Sequence, residues 1–461
     1  MIEIKEELLE SKLAEAIHKI DSNRTKLISI TRKINAVEPL HFFENAKQLT
    51  KDRTFWSSTA DQFYIVGVGK SYTISAEANR FQQTEKLWES LLQDAIIDNP
   101  FQVPGTGLLS LGGMSFDPDI RKSRLWEKFG HSLFTVPEYM LTVNESGYFL
   151  TVNVQADERS NPGKLADSIK QHESLLLNPC ESSFPDEPVI EWQEEIAPRD
   201  WMDTVKLATE TINQGDADKI VLARELRVKL KHSAGISAVL DNLIYTQSNS
   251  YIFAFEQDGD CFVGATPERL AKVEGSHVLS TCLAGTAPRG ETSSEDNQIA
   301  KNLLDDEKNR SEHEFVVSMI KHAMEHYCTD IKIPDAPVIY PLKNLQHLFT
   351  PVTAKLSAGY SIFDIIGKLH PTPALGGVPR KESIEFIREH EQLDRGWYGA
   401  PIGWLDSNGN GEFAVAIRSG LIQGDEVSLF AGCGVVKDSD PMAEYEETAI
   451  KFTPMLSVLG G

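Results

Sequence analysis

From Asp218 to Gly290 the chain returns repeatedly to strand patterns: DKIVLAREL (218–226), then SYIFAFEQ, CFVGATPERLAKVEG and HVLSTCLAGTAPRG, punctuated by Gly, Asp and Ser turn residues. Strand runs of this kind, without strict βα alternation, point to an α+β fold built on largely antiparallel sheets. Shorter strand patterns lie upstream at QFYIVGVG (62–69), GTGLLSLGG (105–113) and YFLTVNVQA (148–156), interleaved with helical ones. Helices are predicted over 201–214 and from about Ser294 to Cys328. The stretch GEFAVAIRSGLIQGDEVSLFAGCGVV (411–436) reads as a closing hairpin, and a glutamate-rich helix ends the chain. A polar, proline-containing connector, 178–200, separates an amino-terminal half, 1–190, from the region 191–461.

With 461 residues the chain can bury a substantial core. Its 45 Lys and Arg against 68 Asp and Glu give a net charge of −23, and no basic run interrupts that balance. Nucleic acid and anionic membrane surfaces are therefore not expected partners. Five widely spaced cysteines (Cys180, Cys261, Cys282, Cys328, Cys433) form no CxxC pair, which argues against a disulfide framework or zinc site. The acidic amphipathic amino terminus lacks a basic and apolar targeting pattern, so a cytoplasmic protein is expected.

Carboxylates gather in PMAEYEETAIKFTPM (441–455). Ser439 or Asp440 can cap a helix there, and Pro441 suits its first turn. Glu444, Glu447 and Lys451 then share a face, while Glu446 points elsewhere. Such a face is either a solvated acidic first turn, favoured by the helix dipole, or part of a Mg²⁺ site. Glu312 aligns with Phe315, Val316, Met319 and Ala323 on the apolar stripe of the predicted long helix. It reads either as the exposed end of that stripe or as a second carboxylate for the same cation. Lys219 opens a strand against an IVLA run, as a strand-end surface lysine or as a general base whose ammonium form desolvation disfavours. Glu268 in GATPERL is a turn glutamate or a general acid. The glycines of LAGTAPRG and AGCGVV can bring backbone N–H groups close to a carboxylate, or serve as ordinary turn chemistry.

The ordered motifs DKIVLAR, GATPERL, AGTAPRG, KNRSEH, NLQHL, HPTPALGG, RGWYGAPIGW, FAVAIRS, AGCGVV and EYEETAIK resemble those of the chorismate-utilising enzymes. That family comprises anthranilate, aminodeoxychorismate, isochorismate and salicylate synthases. The resemblance spans about 200–455 and extends more weakly to GGMSFDP (112–118) and LWEKFG (125–130). It implies a single compact domain with two large antiparallel sheets packed together and helices outside. The lysine of DKIVLAR matches the water-using members, so no glutamine amidotransferase subunit is expected. Ala284 departs from the PIKGT pattern of aminodeoxychorismate synthases, and HPTPAL, with Ala374 and Leu375, departs from the HPTGTL of anthranilate synthases. The resemblance thus implies conversion of chorismate to isochorismate, with salicylate synthase or a siderophore-pathway isochorismate synthase as alternatives. The long amino-terminal half resembles menaquinone-type members. By the same resemblance, Lys219 is the base and Glu268 the acid. Glu312 and Glu447, supported by Glu444, hold Mg²⁺. Arg418, Tyr398, His347, Lys451 and the Gly285, Thr286, Gly432 and Gly434 backbone meet the substrate.

Overall fold

The computed structural model describes residues 2–120, 122–179, 184, 187–342 and 345–461. Cys180 and Asn344, the first residue of NLQHL, lie outside the described residues. Two sheets organise the chain. Among the described residues the larger has 13 strands, running from Ile190–Glu195 through Lys219–Leu230, Glu426–Val435, Ser419–Gln423, Asp260–Thr266 and Tyr251–Gln257 to the amino-terminal strands Arg53–Ser58, Phe63–Val68, Tyr139–Asn144, Gly147–Asp157, Thr25–Ile34 and Ile96–Asp98, with Gly377–Val378 paired to Lys219–Leu230 beside this path. The second has ten, with His277–Pro288 between Leu345–Leu356 and Arg269–Glu274, and continues through Gly411–Val415 and Pro401–Asp406 to Leu109–Met114, Ser132–Val136 and Tyr72–Ser75. Both sheets draw strands from both halves of the sequence. Among the described residues every pairing is antiparallel except that of Ile96–Asp98 with Thr25–Ile34. The expected α+β architecture of two packed antiparallel sheets is thus present.

Side-chain alternation explains the packing. In Tyr251–Gln257, Phe253 and Phe255 enter a layer with Trp56, Phe262 and Phe430 of the same sheet and Leu111, Ile402 and Trp404 of the other. Ile252 and Ala254 point to the opposite face, where helices cover them. Because both faces are buried, the strand reads as a nearly continuous apolar run. Trp126 and Trp397 fill the aromatic layer at 1% exposure each, and truncating either to alanine costs about 3–5 kcal/mol.

Two local expectations are corrected. The predicted helix from Ser294 to Cys328 is two helices, Ser293–Asp305 and Glu307–Glu325, and Cys328 already begins a strand. Asp306 leaves helical geometry between them, and its side chain accepts from Asn309 N–H at 2.7 Å, capping the second helix. The stretch 411–436 is not one hairpin. Gly411–Val415 belongs to the second sheet, and only Ser419–Gln423 and Glu426–Val435 form a hairpin, in the first. The chain crosses between sheets at Ala416–Arg418, where Arg418 takes the left-handed conformation with φ of 51°.

Candidate active site

The floor of the cleft is the antiparallel pair Lys219–Leu230 and Glu426–Val435, in which Val221 faces Gly434 and Ala223 faces Gly432. The Lys219 side chain lies across Gly434. A β-carbon on that residue would stand 2.5 Å from Lys219 Cε and 3.1 Å from Nζ, so a larger residue there would push the lysine side chain aside. At Gly432 a β-carbon would fit only tightly, 3.0 Å from Leu222 O and 3.3 Å from the Tyr398 hydroxyl. The glycines of AGCGVV thus make space for cleft side chains. Lys219 Nζ donates to Glu312 Oε1 at 2.6 Å from the helix Glu307–Glu325.

That helix buries His313, Val316, Ile320, Ala323 and Met324, a stripe rotated by one position from the one expected. Phe315 is exposed, and the Glu312 side chain, 45% exposed, stands at the stripe's edge beside the cleft. Its ion pair with Lys219 accounts for a carboxylate in that place.

Glu268 follows Asp260–Thr266 and is fixed through its backbone, its N–H donating to Thr266 Oγ1 at 3.2 Å and its carbonyl accepting from Val415 N–H at 2.9 Å. Burial pushes its carboxyl up to about 7, against the opposing charges of Arg418 and Lys219. Arg418, itself lowered to about 10 by burial and held up by Glu268, keeps its charge at neutral pH. Its positive φ is a strained choice for a non-glycine residue and falls where the chain changes sheets beside the cleft. Burial pushes the Tyr398 phenol upward, so its hydroxyl stays a neutral hydrogen-bonding group.

On the second sheet, pairing of His277–Pro288 with Leu345–Leu356 slips between Ala284 and Thr286, leaving Gly285 in a bulge at φ 80°. The slip places Thr286 opposite His347, and Thr286 Oγ1 lies 2.9 Å from His347 Nδ1. Burial, with the charges of Arg418 and Lys451, lowers His347 to about 4, so it is a neutral imidazole, and its buried Nε2 has no partner among the described residues.

The helix Pro441–Val458 closes the cleft. Asp440 is its cap, accepting from Met442 and Ala443 N–H, and Pro441 occupies the first turn as expected. Ser439 instead donates to Glu444 Oε1 at 2.7 Å. Lys451 bridges Glu447 Oε1 at 2.7 Å and Gly432 O at 2.8 Å, tying the helix to the floor strand. Gly432 therefore contributes its carbonyl to this contact. Glu446 is exposed. Glu444 Oε2 is buried with no partner among the described residues, an orphaned hard oxygen. Among the described residues no three His, Cys, Asp or Glu side chains stand close enough to share one ion. Mg²⁺ needs only one or two carboxylates with waters and substrate oxygens, and the unpartnered Glu444 Oε2 is a hard oxygen of the kind it takes.

Several supporting groups have no sequence signal. Arg395 donates to both oxygens of Glu391 (2.6 and 2.7 Å), to Val221 O and to Leu375 O, while Glu391 Oε2 also accepts from Ala223 N–H at 2.7 Å. This buried pair clamps the HPTPALGG loop, including Leu375, to the floor strand. Arg224 holds the closing helix by donating to Thr448 Oγ1 at 2.7 Å and Tyr445 O at 3.3 Å. His370, lowered to about 3 by burial and nearby arginines, bonds Phe116 O of GGMSFDP at 2.9 Å, so its role is structural. Ala374 stands with Glu268 at a small cavity.

Residues 11–460 match the family described as chorismate binding enzyme. The isochorismate synthase MenF of Bacillus subtilis is 44% identical over 454 residues, covering 97% of this chain and 96% of that protein. The salicylate biosynthesis isochorismate synthase of Pseudomonas aeruginosa is 34% identical, covering 95% and 92%. The solved structure of the menaquinone-specific isochorismate synthase MenF from Escherichia coli superposes with a TM-score of 0.79 over 98% of both chains at 24% identity, which shows a shared fold.

Proposed function

Because the chain belongs to the chorismate-binding enzyme family, we propose that it is an isochorismate synthase of the menaquinone type, converting chorismate to isochorismate. The observation that carries this reading is the grouping of Lys219 and Arg418 near enough to Glu268, a buried carboxyl poised near neutrality, for their charges to act on it.

Lys219 takes a proton from water as the oxygen attacks C2 of the ring. To accept that proton Nζ must first part from Glu312, its partner at 2.6 Å, and give up one of its own protons to solvent. Glu268 gives its proton to the C4 hydroxyl, which leaves as water. One water enters and one departs, so the reaction is a net isomerisation. Acid and base in opposite proton states at one pH are what paired catalysis requires. Arg418 and Tyr398 hold the enolpyruvyl carboxylate, and Lys451 with the Gly432–Gly434 segment lines the side of the ring carboxylate. His347 and the Gly285–Thr286 bulge complete the cleft, with Ala374 and Leu375 on the wall that Arg395 fixes. Glu312 and Glu447, with Glu444 in support, would hold Mg²⁺, which supplies a hard positive charge for the ring carboxylate when bound. The local field of Arg418 and of the bound cation, rather than the net charge of −23, would receive the dianion.

The catalytic machinery belongs to 191–461, with 1–190 completing both sheets. No helix among the described residues is long and apolar enough to cross a membrane; a cytoplasmic location is part of the proposal. Chromatographic identification of the product from chorismate and Mg²⁺ tests the reading: isochorismate supports it, and salicylate with pyruvate, or no turnover, contradicts it.

A further inference from the structure

Beside Glu268 lies a cavity of about 10 Å³, walled also by Ser280, Thr281, Thr372 and Ala374. That is close to the smallest volume able to hold one water, and a water there needs two to four polar partners. Ser280 donates its hydroxyl to Leu270 O at 2.7 Å and Thr281 to Arg269 O at 3.4 Å, so both keep only lone pairs to offer. Thr372 differs. It is 7% exposed, and its buried Oγ1 has no partner among the described residues. A buried hydroxyl rarely stays unpaired, because its lost hydration is not returned. Glu268 shows the complementary lack: its described hydrogen bonds run through its backbone, leaving the carboxyl oxygens unclaimed.

Resting on the functional reading above, we propose that Thr372 is the positioning residue of the catalytic acid, its hydroxyl holding a single water in this cavity that donates to the Glu268 carboxyl. The bridge occupies one carboxyl oxygen and turns the other, protonated one toward the substrate. It strengthens as Glu268 gives up its proton and becomes charged. The first threonine of HPTPALGG therefore serves the acid while His370, two residues earlier, ties the loop to Phe116.

Among the described residues the groups facing Glu268 are Lys219, the cationic Arg418, and the neutral Tyr398 and Cys282; Arg269 next to it is turned to Glu412 at 2.8 Å. None of these changes in a Thr372 variant. Removing the water donor disfavours the carboxylate form of Glu268, so the alkaline fall in kcat moves to higher pH.

The test is kcat, KM and their pH profiles for wild type, Thr372→Val, Thr372→Ala and Thr372→Ser, with thermal melts. Thr372→Val is expected to lower kcat about tenfold, the scale of one hydrogen bond to a charged group. KM should stay within about twofold, the alkaline limb should move upward, and Thr372→Ser should restore rate and limb. Thr372→Ala carries the same comparison should Thr372→Val melt early. An active wild type whose limb is unmoved in the hydroxyl-lacking variants, or a Thr372→Ser as impaired as they are, overturns the positioning role. A wild type that makes no isochorismate overturns the functional reading instead.

Discussion

Lys219 and Glu312, 93 residues apart in sequence, meet as an ion pair with Nζ 2.6 Å from Oε1. One partner is the assigned base and the other an assigned cation ligand. In the ion pair Lys219 is an ammonium with no lone pair, so the base role requires it to part from Glu312 and to lose a proton before it can take one from water.

Lys219→Ala should therefore bind chorismate but form isochorismate at least ~10²-fold more slowly, the usual range for losing a general base. Stopped-assay kinetics with a separate binding measurement check it. Near-normal turnover would assign water activation to another group.

Gly434→Ala probes the same lysine without touching it. The new methyl would overlap Lys219 Cε, which is flexible, so the strand pairing survives and the amine is displaced. A misplacement of about 1 Å can cost ~10²-fold. The expected outcome is a melting temperature near wild type with turnover reduced at least tenfold; unchanged turnover would show that Lys219 need not lie over Gly434.

Placement in an element was legible where a local motif marks it. Lys219 opens a strand, Glu268 follows one and Asp440–Pro441 start a helix, as the sequence reading put them. It failed where a residue's meaning depends on a distant partner. Glu391 and Arg395 are four residues apart, a spacing shared with many exposed helix pairs, and only the fold reveals that they are buried against Val221 and Leu375. Asp306 looked like one more acid in a helix and is a cap. The change of sheet at Arg418 had no signal because the strands on either side are equally apolar, and a left-handed arginine carries none of the usual glycine marking.

Glu268 should impose a pH-dependent stability cost. Its folded-state pKa, about 7 against the usual 4.5, means that the unfolded chain releases this proton first as pH rises. Stability is lost between those values, by at most about 3–4 kcal/mol at ~1.4 kcal/mol for each pH unit. Glu268→Gln should thus melt like wild type near pH 4.5 and above it at pH 8, while losing activity. In wild type, kcat should fall as pH rises past about 7 and the acid ionises. Equal melting differences at both pH values would contradict the assigned environment.

Glu312→Gln and Glu447→Gln should each weaken Mg²⁺ binding, read by calorimetry, and abolish Mg²⁺-dependent turnover with circular dichroism unchanged. Full wild-type activity in excess chelator would remove the metal from the account.

The central claim, that a Lys219 and Glu268 pair adds water at C2 and expels the C4 hydroxyl, is tested most directly by turnover of chorismate with Mg²⁺ in ¹⁸O-labelled water. Mass spectrometry of the product should find isochorismate carrying one ¹⁸O in its C2 hydroxyl. Unlabelled isochorismate would mean that the hydroxyl migrates within the molecule, and the acid and base assignments would fall with it.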